Sequence, residues 1–171
     1  NDMEFLSKNK ISGNENYSAV YMTQDISSKG LMSIYKVLNR TADGKTAVKI
    51  SSGEPGGHNF LSAAMIAPLV KEVNGTIVEC NTAYEGKRFD TESHLNVMKE
   101  HGFADIAPID IMDGEGTVSI PVSKGKHLKE DIVGKSFTDY KFLVNLAHFK
   151  GHAMGGFGGV IKNMSIGIAS S

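Results

Sequence analysis

The sequence predicts an α/β domain: an open, mostly parallel sheet with helices on both faces and an antiparallel edge strand. Segments with helical spacing alternate with short apolar runs. Those runs are continuously apolar, as expected of strands buried on both faces. Three of them empty into loops of unusual composition, 53–59, 81–88 and 148–162. In such sheets ligands bind beyond the carboxyl ends of the strands.

Residues 1–16 are polar and aperiodic and read as a flexible lead-in to a single domain over 17–171. Residues 18–23 read as a first strand. Ser27 is placed to cap a helix in which Leu31, Ile34, Tyr35 and Leu38 share one face. Gly30 costs that helix about 1 kcal/mol relative to Ala, and Asp43-Gly44 turns the chain. Residues 45–51 form the next strand. Over 62–73, Met65, Ile66, Leu69, Val70 and Val73 keep a helical period. Pro68 within it predicts a kink or two shorter pieces. Asn74-Gly75 ends the element, and 76–80 is a strand.

Asp90 or Thr91 starts a further helix, which ends at Gly102 with His101 in its last turn. Residues 104–109 read as a strand and Asp113-Gly114-Glu115-Gly116 as a turn. Residues 117–122 alternate like an edge strand, where Pro121 is tolerated. Residues 127–139 form a polar connection with a weak helix or strand. The most strand-like run, 142–147, leads into the loop rich in His, Lys and Gly, after which Val160, Ile161 and Met164 suggest a short helix.

A chain of 171 residues is long enough to bury a real core as one domain. With a net charge of −1, scattered bases and few aromatics, it carries no footprint for nucleic acid. No apolar run approaches the roughly 20 residues that span a bilayer. No signal peptide is present, although the chain opens on Asn1, which leaves room for a leader or tag already removed. Cys80 is the only cysteine. It therefore rules out an internal disulfide and an iron–sulfur cluster held by this chain, which needs about four thiolates. A lone thiol favours a reducing, cytoplasmic setting.

Two phosphate-loop motifs fail. Gly44-Lys45-Thr46 ends like a Walker A motif, but Asn39 stands at its first glycine and the segment precedes a strand. The run from Gly155 to Gly159 does not satisfy G-x-G-x-x-G either. Even so, Gly155, Gly156, Gly158 and Gly159, with Lys162 nearby, suit the cradling of an anion by bare backbone N–H groups. The alternative is that they merely permit close packing.

His148 and His152 are four apart, a spacing that suits a metal on a helix, with a third ligand from Cys80, Glu79 or His58. Gly151 makes a helix there doubtful, and the alternative is hydrogen-bonded or acid–base histidines. Lys150 and Lys162 either meet a ligand anion or are solvated. Gly56, Gly57, His58 and Asn81 share the same strand-end edge. Cys80 reads as a small core residue rather than a nucleophile, and His94 and His101 as ordinary helix packing. The candidate catalytic residues are thus His148, Lys150, His152 and Lys162. The candidate ligand or cofactor contacts are the glycines at 56, 57, 155, 156, 158 and 159 with His58 and Asn81. A transition metal, if one binds, falls to His148 and His152.

Three blocks carry a family resemblance: Lys49-Ile50-Ser51-Ser52-Gly53-Glu54-Pro55-Gly56-Gly57-His58-Asn59, Gly75-Thr76-Ile77-Val78-Glu79-Cys80-Asn81-Thr82, and His148-Phe149-Lys150-Gly151-His152 through Gly155-Gly156-Phe157-Gly158-Gly159-Val160-Ile161-Lys162-Asn163. From about residue 18 onward the chain resembles the bacterial "domain of unknown function 362" family. Its members are often described as iron–sulfur proteins, because many carry ferredoxin-like cysteine clusters further along the chain. The resemblance implies that any redox role here belongs to a C-terminal ferredoxin-like region outside this sequence. The stretch from Gly156 to Lys162, followed by Gly167-Ile168, is also similar to a glycine–lysine loop of nickel-pincer lactate racemases. That likeness implies ligand binding rather than racemisation.

The leading expectation is a ligand-binding or catalytic domain of an iron–sulfur-associated redox protein. In it His58, His148, Lys150, His152 and Lys162 line a pocket for an anionic small molecule or cofactor. A metal-dependent enzyme using His148 and His152 is the second. The third is an assembly module whose apolar C-terminal run, 165–171, docks on the rest of a longer polypeptide or on a second copy as a homodimer.

Overall fold

Four short strands make the central sheet because each is apolar enough to be covered on both sides. In the computed structural model, which describes residues 18–170, β1 (Thr46–Lys49) is buried along its whole length. It pairs in parallel with β2 (Gly75–Glu79) on one side and β6 (Phe142–Asn145) on the other. β2 in turn pairs in parallel with β3 (Ile109–Ile111), giving the order β3-β2-β1-β6. The predicted lead-in over 1–16 lies outside the described residues.

The two-residue period of the strands divides the core. Val48, Ile77 and Val144 face one side, where they meet Ile66, Leu69 and Val70 of α2 (Ala63–Glu72), Met98 of α3 (Thr91–Glu100), and Leu31 and Tyr35 of α1 (Ser28–Val37). Ala47, Val78 and Leu143 face the other. There the cover is a ribbon of β4 (Thr117–Pro121) and β5 (Glu130–Gly134), a 3-10 helix at Lys135–Asp139, and α4 (Val160–Ser165). The domain is therefore α/β with helical cover on both faces. The antiparallel strand expected at 117–122 is present, but it pairs with β5, Val118 opposite Val133, in a ribbon separate from the main sheet. Its partner comes from the polar connection, so β3 and β6 remain the two edges of the main sheet.

Three expectations are corrected. Residues 18–23 form no strand; Val20 is 87% exposed and the stretch pairs with no strand among the described residues. Residues 104–109 contain a 3-10 turn at Phe103–Asp105, and the strand begins only at Ile109. Phe103 is fully buried edge-on to Phe60, and the turn that seats it delays the strand. Pro68 does not divide α2, which runs unbroken over Ala63–Glu72. The carbonyl that a proline leaves without its N–H partner is that of residue i−4. Here it is Ala64, which accepts a hydrogen bond from Ser28 Oγ of α1 at 3.3 Å.

Helix α1 starts as expected, with Ser27 Oγ accepting from Gly30 N–H at 3.3 Å. Gly30 is more than a weak helix former. A Cβ there would stand 1.9 Å from the Asp25 carbonyl oxygen, so the incoming chain folds back only over a bare residue. The loop at 148–162 is a hairpin of β7 (Lys150–His152) and β8 (Gly156–Gly158), followed by α4. No helix among the described residues is long and apolar enough to cross a membrane.

Candidate functional site

After β1 the chain crosses by α2 to β2, whereas β6 arrives on the opposite side of β1. The strand order reverses between β1 and β6, and at such a switch point the loops leaving the two strands diverge and open a crevice. A cleft of about 540 Å³ lies there, a size within the usual range for small-molecule sites.

All four candidate catalytic residues, His148, Lys150, His152 and Lys162, line this cleft. So do Gly57, Asn81, Gly158 and Gly159. Gly56, His58, Gly155 and Gly156 do not line it. Gly57 N–H bonds back to the Glu54 carbonyl at 3.0 Å, and this tight turn leaves Gly56 and His58 exposed while Gly57 and Asn59 border the cleft.

The floor is a buried ionic network; Glu79 drew notice in the sequence only as one candidate third metal ligand, and Lys49 only as a strand position. Lys49 Nζ is spent on three acceptors: Glu79 Oε2 at 2.5 Å, Asn163 Oδ1 at 2.8 Å and the Ile50 carbonyl at 2.8 Å. Glu79 Oε1 accepts from Ser52 N–H at 2.7 Å. Burial works to raise the Glu79 carboxyl, but Lys49, His94 and the Ser52 N–H together outweigh it and hold the group below the usual carboxylate range.

His94, fully buried, extends the network. Asn81 donates through Nδ2 to Thr91 Oγ1 at 3.0 Å, so its Oδ1 faces His94 Nδ1 at 3.4 Å. That arrangement places the ring proton on Nδ1 and leaves Nε2 to accept from Ser52 Oγ at 3.2 Å. Burial pushes the imidazole down to about 4. His101 also holds the loop after β1, through Nδ1 to the Ser52 carbonyl at 2.7 Å, and its ring stacks on Phe60 at 4.1 Å. Gly53 has φ of +81°, and a Cβ there would sit 2.3 Å from the Phe60 ring. The signal for this floor was two charges of opposite sign, Lys49 and Glu79, closing two successive apolar strands.

At the rim, Arg88 ties the loop after β2 to the loop after β1 through an ion pair with Glu54, its Nε at 3.0 Å from Glu54 Oε1. Its Nη1 is 4.0 Å from Glu79. Tyr84 donates to the same Glu54 oxygen at 3.3 Å. On the opposite wall, His152 Nδ1 accepts from Gly155 N–H at 3.1 Å, which leaves Nε2 as its remaining polar atom. His148 Nδ1 is buried with no hydrogen-bond partner among the described residues. Burial, and then Arg88, push the Lys150 ammonium below the ordinary lysine range.

Among the described residues the cleft is lined by four cations, Lys49, Arg88, Lys150 and Lys162, against two carboxylates, Glu54 and Glu79. The surplus is positive on a chain whose net charge is −1. The glycines lie mainly in a hairpin, and α4 has only six residues, so side-chain charge rather than a helix terminus dominates the field.

Metal ligation finds less support. Among the described residues no three His, Cys, Asp or Glu side chains stand close enough to hold a metal ion. Cys80 donates its thiol to the Ile168 carbonyl at 3.4 Å and is pushed up to about 12 by burial, a setting that suits a small core residue. As the chain's only cysteine, it does not fit an iron–sulfur cluster.

No curated protein and no solved structure matches the chain, and the likeness to lactate racemases finds no further support there. The family model described as Domain of unknown function (DUF362) matches residues 46–171, from β1 through α4 and past every residue that lines the cleft. The chain belongs to that family.

Proposed function

We propose that this domain binds a small anionic molecule or cofactor in the cleft at the β1–β6 switch point. The observation that carries this reading is the surplus of cations over carboxylates in a cleft of small-molecule size. The electropositive walls raise the local concentration of anions, and the buried Lys49–Glu79 floor ties down the loop after β1 through Ser52. His148 and His152 supply groups that take or give a proton if the bound molecule reacts. In the setting suggested by the family resemblance, this would be the ligand-binding or catalytic unit of a cytoplasmic redox protein whose iron–sulfur centre lies elsewhere.

Isothermal titration of the folded chain against nucleotides, flavins, organic acids and phosphate esters tests this. Heat of binding that weakens as salt is raised is the expected result. Silence across the panel at millimolar ligand would overturn the reading.

A second reading is an assembly module, favoured by the exposed apolar side chains Phe149, Phe157 and Ile161 on the hairpin and α4. The C-terminal run contributes less than its composition suggested. Ile168 packs into the core beside Val133 and Ala169 bridges to β5, while Ile166 stays exposed. Light scattering separates the readings, because a strictly monomeric chain removes the homodimer.

A further inference from the structure

The four cations of the cleft are not equivalent. Lys49 is compensated by Glu79 and uses all three of its N–H donors. Arg88 is compensated by Glu54 and lies within reach of Glu79. The two carboxylates of the cleft are therefore already engaged. Lys150 and Lys162 have neither an ion pair nor a side-chain hydrogen bond among the described residues.

These two lysines converge. Lys150 on β7 lies opposite Gly158 on β8, and the Lys162 side chain passes over the same glycine, its Cδ 3.4 Å from where a Cβ would be. Gly158 and Gly159 both line the cleft and add no side chain of their own beside the two lysines. His148, on the same wall, adds an unsatisfied buried Nδ1.

We infer that the anionic group taken by this cleft is a dianion of the phosphate-monoester kind, held between Lys150 and Lys162 with His148 beside it. This rests on the anion-binding reading above and narrows it. Two uncompensated positive charges beside one glycine match a single compact group of charge near −2. A phosphate monoester carries about −1.5 to −2 at pH 7, with three strong acceptor oxygens. One carboxylate neutralises only one of the lysines. A dicarboxylate spreads its two charges over separate points. The cleft extends well past these lysines to Asn59 and Tyr84, which is room for the organic part of an ester.

The test is isothermal titration of the full chain at pH 7.5 and low salt with ribose 5-phosphate, inorganic phosphate, dimethyl phosphate and succinate. The expected result is that both phosphate dianions bind at least tenfold more tightly than dimethyl phosphate and succinate. Ribose 5-phosphate binding should also weaken from pH 7.5 to 5.5, as the second phosphate proton, with a pKa near 6, returns. Tighter binding of the ester than of inorganic phosphate identifies an organic ligand; equal binding identifies free phosphate as the source of the same chemistry. Lys150→Met and Lys162→Met, both at the cleft surface and checked for folding by circular dichroism, should each weaken dianion binding at least tenfold.

Succinate or dimethyl phosphate binding as well as phosphate would overturn the dianion while leaving an anion site. Unaltered phosphate binding in both lysine variants would overturn the placement. No binding by any of the four compounds would overturn this inference, and silence across the wider panel would remove the anion-binding reading with it.

Discussion

Acid should weaken this fold well above the pH at which carboxylates titrate, because of His94. The folded imidazole is held down to about 4, against an ordinary value of 6.5, primarily by burial. Glu79 and Asp113 pull the other way, and Arg88 and Lys49 add to the depression. Above pH 6.5 neither the folded nor the unfolded chain protonates the ring, and stability is full. Between 6.5 and about 4 the unfolded chain binds a proton that the folded chain refuses, so stability falls with pH. Each pH unit fully inside that window is worth about 1.4 kcal/mol. Integrated from pH 7 to pH 5, the loss from this one ring is about 2 kcal/mol.

For a domain whose total stability is about 5–15 kcal/mol, that is a large fraction. Urea unfolding followed by circular dichroism at pH 7, 6 and 5 should show the midpoint falling by about 1 M, given slopes of about 1–3 kcal/mol/M. His94→Gln, if it folds, should lose this pH dependence. The imidazole resonances of the wild-type chain report the same quantity without a variant. Stability unchanged from pH 7 to 5, or a folded His94 ring titrating near 6.5, would refute the reasoning.

Glu79→Gln removes the counter-charge of a buried ammonium and should cost about 3–5 kcal/mol in the same assay. The double variant Lys49→Met/Glu79→Leu should recover most of that loss, since neither charge is then left alone. In the wild type, the depressed Glu79 carboxyl adds a second acid limb. Its stabilisation is complete above the ordinary carboxylate value of 4.5 and is lost as pH falls below it. Gly30→Ala should destabilise by about 1–3 kcal/mol despite the better helix propensity of alanine, because the new methyl group meets the Asp25 carbonyl; thermal melts decide the sign. Cys80 should resist a disulfide reagent at pH 8 in the native chain and react fully in guanidinium, measured by thiolate absorbance.

Local chemistry made much of the fold legible. Ser27 and Asp90 each cap the helix that follows, and the apolar runs expected at 45–51, 76–80 and 142–147 supply three strands of the parallel sheet, β1, β2 and β6. What escaped the sequence depends on partners distant along the chain. Pro68 is accommodated by a hydroxyl 40 residues upstream, and β4 found its partner in a polar connection that read only as a weak helix or strand. At the site, glycine and histidine drew attention to the wall at 148–162. The floor went unread because Lys49 looks like an ordinary strand end, Glu79 drew notice only as a candidate metal ligand, and His94 reads as helix packing, until β1, β2 and α3 are placed side by side. His58 shows the converse: its neighbours reach the cleft and its own side chain does not, a matter of one tight turn.

Lys49 also bears on the order in which the domain assembles. One of its three acceptors, Asn163, is 114 residues further along the chain. Until α4 arrives, Glu79 and the Ile50 carbonyl hold two of the three N–H donors and the third has only water, so the layer above it stays wet. Drying that layer is tied to the last helix taking its place, and the binding surface is completed in the same event that completes the core.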